Sequence, residues 1–430
     1  KTTVFKAQLR ILPSVAFISA FLNNTPVVVI FAPIIKHWAK SVNLPATKFL
    51  IPLSYVTILG GICTLIGTST NLVVHGMILE AGFEGFSMFE LGKVGIFIAI
   101  AGIIYIFLFS KRLLPDARPD TAVPDEEVEE GEKLHRVEAV LGARFPGINK
   151  KLKDFNFQRH YGAEVKEIKT RNGQRFVSNL EDVVLHEGDT LVVMADDTFI
   201  PTWGESSVFV LLTNGNEPDT TGKKKRWFAL LLLVLMIVGA TVGELPVTKE
   251  MFPDIKLDMF FFVSITTIIM AWTNLFPARK YTKYISWDIL ITIACAFAIS
   301  KAMVNSGVAD SVAKFIIGLS DDYGPHVLLA MLFIITNLFT ELITNNAAAA
   351  LAFPLALSIA SQLGVSPTPF FVVICMAASA SFSTPIGYQT NLIVQGIGNY
   401  KFTDFVRIGL PLNIITFLIS IILIPLIWNF

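Results

Sequence analysis

Residues 21–33 read FLNNTPVVVIFAP, and residues 342–354 read LITNNAAAALAFP. A lone asparagine pair before an apolar run is ordinary helix capping. Here the correspondence continues on both sides of the pair. A shift of 321 lays Ser19 on Thr340, Asn23-Asn24-Thr25 on Thr344-Asn345-Asn346 and Pro33 on Pro354; a shift of 320 lays TLIGTSTNLVVHG (64–76) on TPIGYQTNLIVQG (384–396). A shift of 314 brings Lys93-Val94-Gly95 onto Arg407-Ile408-Gly409. The spacing predicts two copies of one unit.

Composition says where those copies sit. Hydrophobic residues are 53% of the 430 and charged residues 16%, too apolar for a soluble fold of this length. Windows at 94–110, 227–243, 257–275 and 408–428 are nearly uncharged and long enough to cross hydrocarbon. A polytopic membrane protein in a lipid bilayer follows. Net charge is zero, with 34 basic and 34 acidic residues, so nucleic acid is not an expected partner. Cys63, Cys295 and Cys375 stand alone in apolar runs and read as buried packing residues.

Hydropathy collapses from about residue 116 to 225. PDEEVEEGEK (124–133) is an acidic tether, and the short β-branched runs after it, parted by Asn-Gly and Glu-Gly-Asp turns, predict a small β-rich domain able to bury one face. The organisation expected is a first transmembrane repeat at 1–112, an acidic linker at 113–132, the inserted domain at 133–203, a second linker at 204–226 and a second repeat at 227–430. Lys36, His37, Lys40, Lys111, Arg112, KKKR (223–226), RKYTK (279–283), Lys401 and Arg407 fall on one side, whereas EAGFEGFSMFE (80–90) has three acids and no Lys or Arg. The positive-inside rule places the inserted domain in the cytoplasm and the carboxyl terminus outside the cell membrane. The two units then enter from opposite sides, as inverted copies. The chain starts at Lys1 with no visible signal peptide, and the repeat arithmetic leaves about 95 residues of the first unit without a counterpart, predicting an incomplete sequence.

Polar backbone at membrane depth is tolerated only where protein or water satisfies it, so LNNTP and TPIGYQTN predict re-entrant hairpin tips and broken helices. One turn before each Asn pair stands a hydroxyl, Ser19 or Thr340, and Gly67 and Gly387 can bare backbone carbonyls opposite. Neutral oxygens without a carboxylate suit a monovalent hard cation such as sodium. Half-helices beginning after each pair aim their free N–H groups at the tips, and with no Lys or Arg there an anion would depend on those dipoles and on the cations. Glu341 is read as a structural hydrogen-bonding group, His75 as a packed polar residue, Lys301 as a snorkelling cation and KKKR as a solvated anchor. No nucleophile–base pair or metal cluster is visible in the spans, which argues against an enzyme.

At these residues the chain resembles the divalent anion:sodium symporter family, which carries a Ser-Asn-Thr motif at each hairpin tip and a Thr-Pro-Pro-Asn-like break in a later helix of each repeat. The tips here are Asn23-Asn24-Thr25 and Thr344-Asn345-Asn346; the breaks are Thr68-Ser69-Thr70-Asn71 and Tyr388-Gln389-Thr390-Asn391. The resemblance implies one sodium site from Ser19, Asn23, Asn24 and Gly67, and another from Thr340, Thr344, Asn345 and Gly387. It implies substrate contacts from Asn24, Thr25, Thr68, Asn345, Asn346 and Tyr388. Asn at 346, Tyr at 388 and the lack of Pro-Pro depart from the family pattern. IPLSYVTILGGICTLIGTSTNLVV (51–74) is similar to members with a soluble insertion associated with sulfate uptake, and FNFQRHYGAEVKEIKTRNGQ with LHEGDTLVVMAD resembles the TrkA C-terminal regulatory domain. The implied fold class is all-α and polytopic, with inverted repeats, re-entrant hairpins and broken helices, plus a small α+β cytoplasmic domain that is β-rich and takes a small ligand. The implied function is sodium-coupled symport of a small divalent anion by a homodimeric elevator. Sulfate leads, a dicarboxylate or citrate-type carboxylate is the runner-up, and an anion channel gated by the inserted domain is the alternative class.

Overall fold

The computed structural model describes residues 3–116, 134–142, 144–170, 174–196, 198–203, 208–213, 223–243, 246–251, 257–275, 287–318 and 324–430. Most of the expected acidic linker, part of the second linker and the RKYTK stretch lie outside the described residues. The first helical group comprises α1 (Val4–Ser19), α2 (Asn24–Ser41), α3 (Leu50–Gly61), α4 (Ser69–Glu80) and α5 (Gly92–Leu113). An inserted domain supplies β1 (His135–Leu141), α6 (Phe157–Tyr161), β2 (Glu164–Lys169), β3 (Arg175–Phe176), β4 (Thr190–Ala195), α7 (Phe199–Trp203) and β5 (Phe209–Thr213). The second group comprises α8 (Lys223–Gly243), α9 (Pro246–Met251), α10 (Met259–Trp272), α11 (Trp287–Asn305), α12 (Val308–Gly318), α13 (Gly324–Leu342), α14 (Asn345–Leu363), α15 (Thr368–Ser379), α16 (Gln389–Gly398) and α17 (Phe402–Ile427).

Among the described residues, five helices are long and apolar enough to cross a membrane. Two of the predicted windows fall inside α5 and α8 and a third overruns α17 by Trp428 alone, whereas the window at 257–275 yields only the 14-residue α10. Asn274, in the left-handed region at φ 52°, closes the turn that ends it. Helices α13 and α14 are 19 residues each, both among those five and longer than the half-depth arms expected of a re-entrant hairpin, because the apolar runs extend as far as Gly324 and Leu363.

Lipid gives helices no hydrophobic reason to associate, so close packing has to come from small residues. The structure supplies this at matched places. Gly95 on α5 lies against the Ile62 carbonyl, and Gly409 on α17 lies against the Phe382 carbonyl, so each group presses its last helix onto its own break. Gly60 on α3 meets the Ala16 carbonyl of α1 in the same manner. Between the groups, α5 packs on its counterpart α17, while α2 packs on α16 and α14 packs on α4. The helix leaving each hairpin tip therefore lies beside the helix leaving the other group's break.

The inserted domain is an antiparallel sheet of order β3-β2-β4-β1-β5. The expected domain end at residue 203 falls too early, because Phe209–Thr213 pairs with β1; its short VFVLLT run between polar stretches had read as linker. One sheet face, with Val137, Ala139 and Leu141, covers an aromatic core of Phe145, Phe155, Phe157, Tyr161 and Phe209. The expectation of a single buried face is corrected. On the opposite face, Val140 joins the helical core, Gly188 meets Leu392 of α16, and Thr190 meets Gly396.

An ion cluster fastens this face to α2. Lys36 Nζ donates to both oxygens of Glu138, each at 3.2 Å, and Lys169 reaches the same carboxylate at 3.4 Å. Burial raises the Glu138 pKa, but the two ammonium groups win and bring it down from 4.5 to about 2. A depressed carboxylate contributes its full stabilisation above 4.5 and loses it as pH falls toward 2. Glu138→Gln removes the carboxylate that Lys36 and Lys169 share, at a cost of about 1–3 kcal/mol. The expected outcome is faster hydrogen exchange in β1 and β4 at neutral pH, matching what wild type shows only in that acid window.

Candidate functional site

The two tips and two breaks come together at a single hydroxyl. Tyr388, the residue before α16, is 6% exposed. Its OH lies 2.6 Å from Asn24 Nδ2 and 2.9 Å from Thr68 Oγ1, and Asn345 also hydrogen-bonds it. Tip one, tip two and break one thus all converge on break two. Tip and break are also bonded across the groups: Thr25 Oγ1 donates to Gln389 Oε1 at 3.3 Å, and Ser69 Oγ donates to Asn346 Oδ1 at 3.3 Å. These pairs occupy equivalent repeat positions with long and short partners exchanged, Thr25 matching Asn346 and Ser69 matching Gln389. Thr70 Oγ1 also donates to Asn346, at 3.2 Å. Helices α2, α4, α14 and α16 all start here, so four positive helix ends border the same space. The tip and break residues contain no Lys or Arg, which leaves those dipoles and hydroxyls to meet an anion.

Asn24, 1% exposed, faces both ways. Its inner amide atom is 2.8 Å from Ser19 Oγ, 2.8 Å from the Thr57 carbonyl and 3.3 Å from the Gly67 carbonyl. With oxygen inward, Ser19 Oγ donates to it and the two carbonyls oppose it, an all-oxygen nest that a cation relieves. With nitrogen inward, the amide donates to those carbonyls and its oxygen accepts from Tyr388. The two orientations occupy the same volume and differ only in which atom lies inward. Gly61 and Gly67 stand back to back beside this amide; a Cβ on Gly61 would approach Asn24 Nδ2 to 3.0 Å, and one on Gly67 would approach the Gly61 Cα to 2.8 Å. The cradle is shaped by missing side chains. These donors fit a hard monovalent ion.

The second nest differs. Thr340 Oγ1 donates to the Ala378 carbonyl at 2.6 Å, and Gly387 packs against the Thr340 carbonyl and the Ser381 hydroxyl. Ser381 occupies the repeat position of Gly61 and adds an oxygen. Beside it, Glu341 Oε1 accepts from Ser383 N at 2.9 Å and from Asn413 Nδ2 at 2.7 Å, the structural bonding expected of it. Asn23 and Thr344 stand apart from both nests. Both are exposed and cap the helices that follow, Asn23 Oδ1 accepting from Thr25 N and Thr344 Oγ1 accepting from Ala347 N, each at 3.4 Å. A residue just ahead of a helix start turns its side chain back onto the helix, and that direction leads away from the nest.

Asn71 and Asn391 do what the motif did not announce. Asn71 Nδ2 donates to the Thr64 carbonyl at 2.9 Å, and Asn391 Nδ2 donates to the Ser381 and Thr384 carbonyls at 2.9 and 3.1 Å. Each pins its own break loop. Thr57 was likewise missed, since its contribution is a backbone carbonyl that no side chain advertises. His75 is a packed polar group as expected, its Nδ1 accepting from Phe86 N at 3.0 Å. Cys63 is half-buried and Cys375 buried, but Cys295 is exposed on α11, against expectation, because that helix turns the residue outward from the protein core.

A family model described as citrate transporter matches residues 4–364 and again 251–430. A Synechocystis protein described as an uncharacterised transporter is 30% identical, aligned over 96% of this chain and 81% of its own length. An uncharacterised transporter of Escherichia coli is 25% identical over 99% of this chain and 85% of its own. Sodium/sulfate cotransporter 2 of Chlamydomonas reinhardtii is 31% identical over 65% of this chain, a match that covers 31% of that protein.

Proposed function

This chain belongs to the citrate transporter family, and within that family we propose that it is a sodium-coupled secondary transporter of sulfate. The observation that carries the reading is the meeting of four half-helix starts and four polar loops around Tyr388, with an oxygen nest one residue's breadth away at Asn24. Sodium is cargo here, held in one nest by Ser19, Asn24 and Gly67 and in the other by Thr340, Asn345 and Gly387. The anion lies among Asn24, Thr25, Thr68, Asn345, Asn346 and Tyr388. Transport of sulfate with sodium by a Chlamydomonas relative, as its name states, supports the choice of anion. The family's own description favours citrate as the second reading.

The matched contacts of α2 on α16 and of α14 on α4, with α5 on its counterpart α17, support two related units, which this reading takes as inverted repeats. Under this reading the inserted domain is cytoplasmic and TrkA-C-like, and the protein works as a homodimeric elevator. A cavity of about 690 Å³ bordered by Thr170, Phe176, Asn179, Asp182 and His186 supports a small ligand for that domain.

The test is uptake of labelled sulfate into liposomes. An inward sodium gradient is expected to drive sulfate above its equilibrium level, and replacing sodium by potassium is expected to stop it. Sulfate passing only down its own gradient, with or without sodium, would assign a channel; labelled citrate in place of sulfate decides the anion. Asn346→Ala removes an amide from the anion's side and is expected to weaken sulfate binding about tenfold, the cost of one charge-assisted hydrogen bond.

A further inference from the structure

We infer that the inserted domain is a fixed part of the body that carries the site: it stays docked on α2 and α16 through the whole transport cycle and is not a gate that lifts away. The inference goes beyond the sodium-coupled reading but takes from it that there is a transport cycle.

The chain enters the domain after α5 and leaves it before α8, and the sheet lies on two other helices. On α2, Lys36 Nζ donates to Glu138 at 3.2 Å. On α16, Gly188 meets Leu392 and Thr190 meets Gly396. A Cβ on Gly396 would stand 2.4 Å from Thr190 Oγ1 and 3.5 Å from the Gly188 carbonyl, so helix and strand meet with no side chain of residue 396 between them. Helix α2 belongs to the first group and α16 to the second, and one sheet face holds both. The starts of the same two helices are joined at the site, where Asn24 bonds Tyr388 at 2.6 Å and Thr25 bonds Gln389 at 3.3 Å. A domain held at one point can swing about it. One held on two helices that are themselves bonded together has no free axis.

The docked face is built as interior. Val140, Glu167, Lys169 and Thr190 are each at most 4% exposed. Val140 is part of the helical core, and Val210 of β5 packs against that core. Lifting the sheet would return this apolar surface to water. The entry to the domain is held as well. Thr47 Oγ1 donates to the Pro115 carbonyl at 2.9 Å, and the buried Lys48 Nζ donates to the Lys111 carbonyl at 2.8 Å and pairs with Asp116 at 3.2 Å. That ammonium stands at the C-terminal end of α5, where free carbonyls and the helix dipole favour a cation. The chain is therefore pinned from the last turn of α5 to Asp116, against the loop between α2 and α3.

A Cβ on Gly396 would lie 3.8 Å from the Thr190 Cβ, about the mean separation in disulfides. Protein with Thr190→Cys and Gly396→Cys, and with Cys63→Ala, Cys295→Ala and Cys375→Ala to remove the other thiols, is placed in liposomes. Sodium-driven uptake of labelled sulfate is measured before oxidation, after it and after reduction. The disulfide is expected to form in full by peptide mass spectrometry, and uptake is expected to stay within about twofold of the reduced protein. A fall of about tenfold or more on oxidation, reversed by reduction, means that the domain leaves α16 in each cycle; it overturns the inference and leaves the transporter reading standing. Thiols that stay free under oxidant overturn the docking itself. No sodium-driven uptake by wild type overturns both. Should the cysteine pair fail to fold, spin labels on Ser41→Cys of α2 and Lys153→Cys of the domain, both exposed positions, report the same attachment. One distance, unmoved by sodium and sulfate, is expected, and a second, longer distance overturns the inference.

Discussion

Asn24→Ala is expected to lower sodium affinity by about 100-fold or more and to abolish sodium-driven anion uptake. Losing an outer-shell partner of a metal site already costs about 10–100-fold, and in the proposed site Asn24 stands in the inner set. Its removal also leaves the Thr57 and Gly67 carbonyls, the Ser19 hydroxyl and the Tyr388 phenol without the group that reconciles them. Buried polar atoms left in that state cost about 1–3 kcal/mol each, so thermal stability is expected to fall as well. Asn345→Ala at the matched position is expected to do less, because Asn345 is 8% exposed and water can replace part of what it supplies. Sodium titration by calorimetry, with a melting curve on the same samples, checks both. Wild-type sodium affinity in Asn24→Ala would remove the first nest from the mechanism.

The tips and breaks were legible because each packs several unusual choices into a few residues. Asn, Thr, Gly and Pro inside an apolar run are costly in lipid, and a second copy at a fixed offset makes accident an inadequate account. Residue identity singled out Ser19, Asn24, Gly67 and Tyr388, which the fold brings into one cluster. Asn23 and Thr344, of the same residue types, bond the starts of the following helices instead of joining that cluster, since motif spacing does not say on which side of a helix start a residue falls. Thr57 was invisible because every residue owns a carbonyl. The Lys36–Glu138 attachment was invisible for a different reason: it joins residues 102 apart in sequence, through a sheet face whose alternation was read as solvent-facing. Strand β5 escaped because five residues between polar stretches carry too little periodicity to separate strand from linker.

Gly409→Ala is expected to reduce the yield of folded protein about tenfold or more, although residue 409 touches neither ion nor anion. A Cβ there would run into the Phe382 carbonyl and come within 2.8 Å of Ser383 N. These are backbone atoms at the opening of the second break, so no rotamer change relieves the overlap, and α17 would have to withdraw from the loop it supports. Overpacking of this kind costs about 1–3 kcal/mol where neighbours can yield and more where they cannot. The loop cannot yield cheaply, because Ser383 N donates to Glu341 and Tyr55 OH donates to the Phe382 carbonyl. Gly95→Ala, against the Ile62 carbonyl at 2.6 Å, is expected to behave similarly in the first group. The control is Gly76→Ala on α4, where an added Cβ meets nothing within 4 Å and helix propensity favours Ala by about 1 kcal/mol. Fluorescence-detected size-exclusion chromatography with a thermal ramp separates them: Gly76→Ala at or above wild type, Gly409→Ala and Gly95→Ala well below it. Normal folding of Gly409→Ala would mean that α17 is not held against the break by close backbone contact.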